Sequence, residues 1–262
     1  MIPAEPSLVA RLRAAGCVFA EEEASLLSEA AAGDAGVLES LVARRVAGEP
    51  LEPLLGWAEF GGLRVRVLPG VFVPRRRTEF LALRAAELAE AALVARGSTI
   101  ALDLCCGAGA IGAVVASRVP AAEVWATDVD EEAVRCARLN LPPERVLVGD
   151  LFAPLPASVR GRIDVIAVNA PYVPTAEIVR MPVEARLHEP GIALDGGADG
   201  LDLHRRIAAE AVQWLAPGGV LLIEASERQA PVSAGLFSAA GMEAVVESSE
   251  ELAATVVVAR RA

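Results

Sequence analysis

Two short stretches hold residue types that chemistry needs. In "ALDLCCGAGAIGAVVA", starting at Ala101, Gly107, Gly109 and Gly112 fall in a turn between an apolar strand and a helix. Small residues there let a ligand approach the backbone, and the N-terminus of the following helix faces it with unpaired N–H groups. In "AVNAPYVP", residues 167–174, apolar strand residues run into Asn169, Ala170, Pro171 and Tyr172, the only tyrosine of the chain. Ligands of open α/β sheets bind just beyond the carboxyl ends of the strands, where this tetrapeptide falls. Read alone, it is a strand ended by an Asn-initiated turn that Pro171 stops.

Gly107-x-Gly109-x-x-Gly112 satisfies the dinucleotide fingerprint, and Asp128, at the end of the second strand, is spaced from Gly107 to take ribose hydroxyls. NAD therefore has to be considered. Three features favour S-adenosylmethionine. Asp103 closes the first strand, where a carboxylate can hold the ammonium group of the methionine end. Asp150 closes the third strand in "VLVGDLF", placed to accept from an adenine amino group, with Leu151 against the ring. The antiparallel tail matches the methyltransferase version of the sheet. Cys105, Cys106 and Ala108 complete the loop and meet the cofactor through backbone, with no case for thiol chemistry.

The elements that must position these residues follow from periodicity. The first 50 residues read as helical. "DAGVLESLVARRVAGEP" is the clearest helix, with Asp34 as N-cap, Leu38, Leu41, Val42 and Val46 on one face, and Gly48 and Pro50 ending it. Glu21, Glu22 and Glu23 open another helix as a solvated first turn that suits the dipole. Leu63, Val65 and Val67 alternate with Arg64 and Arg66 between Gly61-Gly62 and Pro69-Gly70, the pattern of a hairpin. A helix over about 78–95 follows. From Thr99 the strands "TIALDL", "EVWATD", "RVLVG", "IDVIAVN" and "GVLLIEA" alternate with helices, the pattern of a parallel sheet covered on both faces. "GMEAVVES" and "LAATVVVARR" are joined too closely for a crossover and should pair antiparallel.

From Gly48 onward the chain resembles the protein-(glutamine-N5) methyltransferases, the HemK/PrmC-like family that modifies peptide-chain release factors, with a branch acting on a ribosomal protein. "GEPLEPLLGWAEFGGLRVRVLPGVFVPRRRTE" is similar to the family's linker and hairpin. "LDLCCGAGAIG" is similar to its cofactor loop, "GDLF" to its adenine site and "VNAPYVP" to its Asn-Pro-Pro-Tyr motif. "HEPGIALDGGADGLDLHRRI" and "LAPGGVLLIE" are similar to its later blocks, in the family's order. The resemblance implies a class I AdoMet-dependent methyltransferase, a Rossmann-like α/β fold with a seven-stranded sheet and an antiparallel last strand. A small N-terminal helical domain would occupy residues 1–55, a β-hairpin linker 56–76 and the methyltransferase domain 77–262. The chain departs from the family at Cys105, usually Gly, at Ala170, usually Pro, and in Arg75-Arg76-Arg77-Thr78-Glu79, usually Arg-Pro-Glu-Thr-Glu.

The target of such an enzyme explains the tetrapeptide. An amide nitrogen is a poor nucleophile, because its lone pair is delocalised into the carbonyl. Two acceptors that hold its two N–H bonds aim the lone pair at a methyl group. The Asn169 side-chain oxygen and the Ala170 backbone carbonyl fit these roles, Pro171 pushes Ala170 into an extended conformation, and Tyr172 lies against the planar amide. The resemblance implies that Phe60 and "VFVP" wall the target pocket; plain domain packing is the other reading. Arg75, Arg76 and Arg77 would meet an acidic partner or be solvated. His188 and His204 fit surface or helix positions rather than catalysis. "DGGADG" lacks the calcium-loop pattern and reads as a loop near the cleft; no metal is expected.

Bulk properties limit the partners. Net charge is -11 and all 24 basic residues are Arg. Stable nucleic-acid binding, which wants a basic surface, is not expected. Cys17, Cys105, Cys106 and Cys136 show neither zinc spacing nor a disulfide framework. The absence of a long apolar run or a signal-peptide pattern leads to the expectation of a cytoplasmic, monomeric enzyme with a protein substrate, a release factor or ribosomal protein. Two rivals remain: an adenine N6-type nucleobase methyltransferase, which faces the same planar NH2 problem, and a non-catalytic AdoMet-binding interaction protein.

Overall fold

The computed structural model describes residues 7–181 and 183–262. Four helices come first: α1 (Leu8–Ala14), α2 (Ala20–Ala30), α3 (Ala35–Val46) and α4 (Leu51–Leu55). They close around their own apolar cluster, with Leu12, Leu27 and Val42 buried. Asp34 caps α3 by accepting from the Gly36 and Val37 N–H groups at 2.8 and 3.0 Å. Val46, at the end of the α3 face that buries Val42, is exposed. One expectation fails here. Glu23 is buried rather than solvated, since it lies where α3 covers α2 and pairs with Arg45 at 2.7 Å.

A hairpin of β1 (Trp57–Phe60) and β2 (Leu63–Arg66) follows. Its two-residue loop, Gly61-Gly62, has φ of 58° and 82°, the positive pair that a tight hairpin matched to strand twist demands. Gly61 also lies so close to the following domain that a Cβ would stand 2.6 Å from the Val114 side chain. Val67, beyond β2, is fully buried in the same core as Phe60 and Val65.

After α5 (Thr78–Arg96) the alternating part begins: β3 (Ile100–Leu104), α6 (Ala110–Arg118), β4 (Glu123–Asp128), α7 (Glu131–Ala137), β5 (Val146–Val148), β6 (Ile163–Val168), α8 (Val183–His188), α9 (Asp202–Trp214), β7 (Leu215–Glu224), α10 (Ala230–Ala239), β8 (Met242–Ser249) and β9 (Ala254–Arg261). The seven strands run in the order β5-β4-β3-β6-β7-β9-β8. Only β9 opposes its neighbours, because its short link to β8 cannot make a crossover. Inward-facing residues alternate: Ala101 of β3 packs with α5 and α6, whereas Leu102 and Leu104 join the layer of α9 and α10. The chain leaves β3 toward β4 and β5 and later returns on the other side as β6 and β7. The carboxyl ends of β3 and β6 therefore form the crevice of a topological switch point.

Candidate active site

A cavity of about 890 Å³ opens at that crevice. The glycine loop forms one wall. Cys105 has φ of 59°, Gly107 of 53° and Gly109 of 75°. The left-handed backbone that suits glycine is thus carried by a cysteine at 105, at a cost of roughly 1–2 kcal/mol. A Cβ on Gly107 would face open space, but one on Gly112 would press on Leu141 and stand 3.3 Å from the Asp103 carboxylate. Burial pushes the Cys105 and Cys106 thiols up, so neither is a ready nucleophile.

Three carboxylates surround the loop. Asp103 is buried behind it, with Oδ2 accepting from the Gly112 N–H at 2.8 Å and Oδ1 without a hydrogen-bond partner. Burial raises its pKa to about 8. Asp128 lines the cavity; its Oδ2 accepts from the Gly107 N–H at 2.9 Å and its Oδ1 from the Asp130 N–H at 3.0 Å. Burial raises its pKa as well. Asp150 stands at the rim, paired with Arg206 of α9 at 2.5 Å, and Leu151 beside it has φ of 49°. This set fits S-adenosylmethionine. The orphaned Asp103 oxygen suits an ammonium group, and Asp128 keeps lone pairs for ribose hydroxyls.

The tetrapeptide forms the opposite wall. Asn169 donates from Nδ2 to the Thr78 hydroxyl at 3.2 Å, which leaves Oδ1 as its unused acceptor. Ala170 is buried. Tyr172 donates its hydroxyl to Glu224 Oε1 at 3.0 Å, and Arg77 Nε donates to the same oxygen at 3.2 Å. Burial, then the negative charge of Glu224, pushes the Tyr172 phenol up. Gln229, just before α10, donates to the Tyr172 and Asp199 carbonyls, each at 2.9 Å, and so ties this segment to the loop at 195–200.

Most of the residues singled out in the sequence meet here. Asn169, Ala170, Pro171, Tyr172, Cys105, Cys106, Gly107, Ala108, Asp128, Asp150, Leu151 and Phe60 line the cavity, as do Phe72 and Pro74 of "VFVP" and Gly196 and Gly197 of "DGGADG". Asp103 and Gly109 lie one layer behind. The arginine run departs from expectation. Arg75 pairs with buried Glu189 at 2.5 Å, and Arg77, still half exposed, pairs with buried Glu224, whereas Arg76 is exposed. His204 is on a helix but not at the surface. Its Nδ1 lies 2.8 Å from Ser233 Oγ, and burial lowers its pKa to about 4. Sequence reasoning missed Thr78, Glu224 and Arg206. All three lie in blocks already matched to a family, "RRRTE", "LAPGGVLLIE" and "HEPGIALDGGADGLDLHRRI", but nothing in those blocks showed which residues face the site.

The family described as Methyltransferase small domain matches residues 62–197. A release factor glutamine methyltransferase of Bradyrhizobium diazoefficiens is 36% identical over 261 residues, covering 91% of this chain and 86% of that protein. One from Gloeobacter violaceus is 40% identical over 195 residues, 72% of this chain and 66% of that protein, just under two thirds of its length. A Streptomyces pristinaespiralis protein named 4-amino-L-phenylalanine/4-methylamino-L-phenylalanine methyltransferase is 38% identical over 204 residues, 76% of this chain and 69% of that protein. With a match that runs through the helical region, the hairpin and the sheet alike, the chain belongs to the S-adenosylmethionine-dependent protein-(glutamine-N5) methyltransferase family.

Proposed function

We propose that this enzyme methylates the side-chain nitrogen of a glutamine in a protein, and that the protein is a peptide chain release factor. The observation that carries this reading is the Asn169 amide. Its Nδ2 is tied to Thr78, so its Oδ1 remains to accept from an NH2 group entering the cavity. The Ala170 carbonyl takes the second N–H. With both bonds held, the nitrogen lone pair points along one direction and Tyr172 supports the amide plane. Bound S-adenosylmethionine supplies an electrophilic methyl group. Asp128 would hold its ribose, Asp150 and Leu151 its adenine, and Asp103, from behind the glycine loop, would face its ammonium group. The target nitrogen loses one proton to water as it gains the methyl group, so no strong base is required of the chain.

The Streptomyces relative acts on a free amino acid by its name, and an arylamine also presents a planar NH2. A free amino acid brings a carboxylate that asks for a cation. Arg75, Arg77 and Arg206 line the cavity, and each already faces a carboxylate, Glu189, Glu224 and Asp150 respectively. This pairing favours a glutamine within a protein, whose backbone carries no such charge. The net charge of -11 disfavours a nucleobase target. Among the described residues no helix is long and apolar enough to cross a membrane. We place the enzyme in the cytoplasm as a monomer serving translation termination, with residues 1–55 as a separate helical domain joined through the 56–76 hairpin to the catalytic domain at 77–262. The test is methyl-labelled S-adenosylmethionine with purified release factor, with DNA and with 4-amino-L-phenylalanine, followed by mass spectrometry. Label on a release-factor glutamine is expected; label only on the amino acid or on DNA would overturn the reading.

A further inference from the structure

Glu224 ends β7 and is 2% exposed, yet both donors that reach it, the Tyr172 hydroxyl and Arg77 Nε, share one oxygen. Among the described residues its Oε2 has no hydrogen-bond partner. A buried carboxylate with half its acceptor capacity unused is costly. Packing alone would be served by an apolar residue, as at Leu221, Leu222 and Ile223 before it. Tyr172 needs an anchor of this kind. It follows a proline beyond β6, outside the strands of the sheet, so no strand pairing fixes its ring. Arg77 completes the contact, with its guanidinium 5.9 Å from the Tyr172 ring centroid. Arg77 also brings a positive charge to the buried Glu224 carboxylate.

We propose that Glu224 is the positioning residue for Tyr172: from the end of β7 it fixes the ring against the target amide, with Arg77 closing the contact from the start of α5. This rests on the role given to Tyr172 above. Because Tyr172 is the only tyrosine, alkaline absorbance titration reads its phenol alone, without substrate. Glu224→Gln keeps an acceptor but removes the charge, so the Tyr172 midpoint should fall relative to wild type; an unmoved midpoint would overturn the proposal. In turnover on purified release factor, Glu224→Leu should lower kcat about 10- to 100-fold, the range of a hydrogen bond to a charged group. KM for the release factor and affinity for S-adenosylhomocysteine should stay within about twofold, since Glu224 touches neither, and Glu224→Gln, which keeps the acceptor, should restore most of kcat. The double variant Tyr172→Phe/Glu224→Leu should be no slower than Tyr172→Phe; additive losses would overturn the coupling and leave Glu224 a packing residue. A wild type that leaves the release factor unlabelled would defeat the substrate reading instead, and the phenol titration would still decide the Glu224 contact.

Discussion

Thr78 holds the end of the Asn169 amide that turns away from the cavity. An amide oxygen and nitrogen are alike in shape, so their orientation is read from the hydrogen bond made. The hydroxyl at the start of α5 accepts from Nδ2 and leaves Oδ1 forward. Asn169→Ala removes the acceptor itself. By analogy with the loss of one oxyanion-hole donor, it should cost about 2.7–4 kcal/mol, or roughly 10²–10³ in kcat. Affinity for S-adenosylhomocysteine should be preserved. Thr78→Val should cost less, about 1–3 kcal/mol for a buried donor left unpaired, with Thr78→Ser restoring turnover. Steady-state kinetics with titration calorimetry separates the two effects. Near-normal kcat in Asn169→Ala would reduce the tetrapeptide to a turn.

At the scale of elements, Asn140 clips the hairpin to the cofactor loop. Its Oδ1 accepts from the Arg66 N–H at 2.8 Å, and its Nδ2 donates to the Arg66 carbonyl at 2.9 Å and the Ala108 carbonyl at 2.8 Å. One side chain thus mimics a strand partner for β2 and holds the glycine loop. The hairpin in turn carries Phe60 into the cavity wall, and Gly61 lets it sit against Val114 of α6. Asn140→Ala removes all three bonds. At about 1 kcal/mol each, the loss should be roughly 2–3 kcal/mol of stability by urea unfolding. Hydrogen exchange at the Arg66 amide should quicken first. Unchanged exchange there would mean that apolar packing alone holds the hairpin.

The whole molecule has a pH response set by two buried groups of opposite sign. Asp103 keeps its proton in the folded state up to about pH 8, whereas an unfolded Asp loses it near pH 4. The folded state therefore binds the extra proton, and stability from this group falls as pH rises through that window. His204 behaves in reverse. It stays neutral down to about pH 4 when folded, so stability rises from pH 4 to about 6.5. Between about pH 6.5 and 8 His204 is silent, and Asp103→Asn should flatten the decline seen in the cofactor-free wild type by thermal melts. A slope that survives the substitution would place the proton elsewhere; Asp128, also shifted upward, is the next group to test.

The alternation of strands and helices, the turn glycines, the Asp34 cap and the closing antiparallel pair were legible in the sequence, because each is a local matter of period, backbone freedom or link length. The two halves of the site were legible for the same reason: a glycine loop after β3 and an amide-proline-aromatic turn after β6 are each contiguous in sequence. What faces them was not. The partners of the tetrapeptide, Thr78 and Glu224, lie 91 residues before Asn169 and 52 after Tyr172, and only the packing of α5 and β7 beside β6 brings them there. Tertiary structure likewise paired Glu23, Arg75 and Arg77 with counter-charges, burying Glu23 and leaving Arg77 half exposed. A charge seen in sequence reveals its sign; whether it meets water or a buried counter-charge depends on which element comes to cover it.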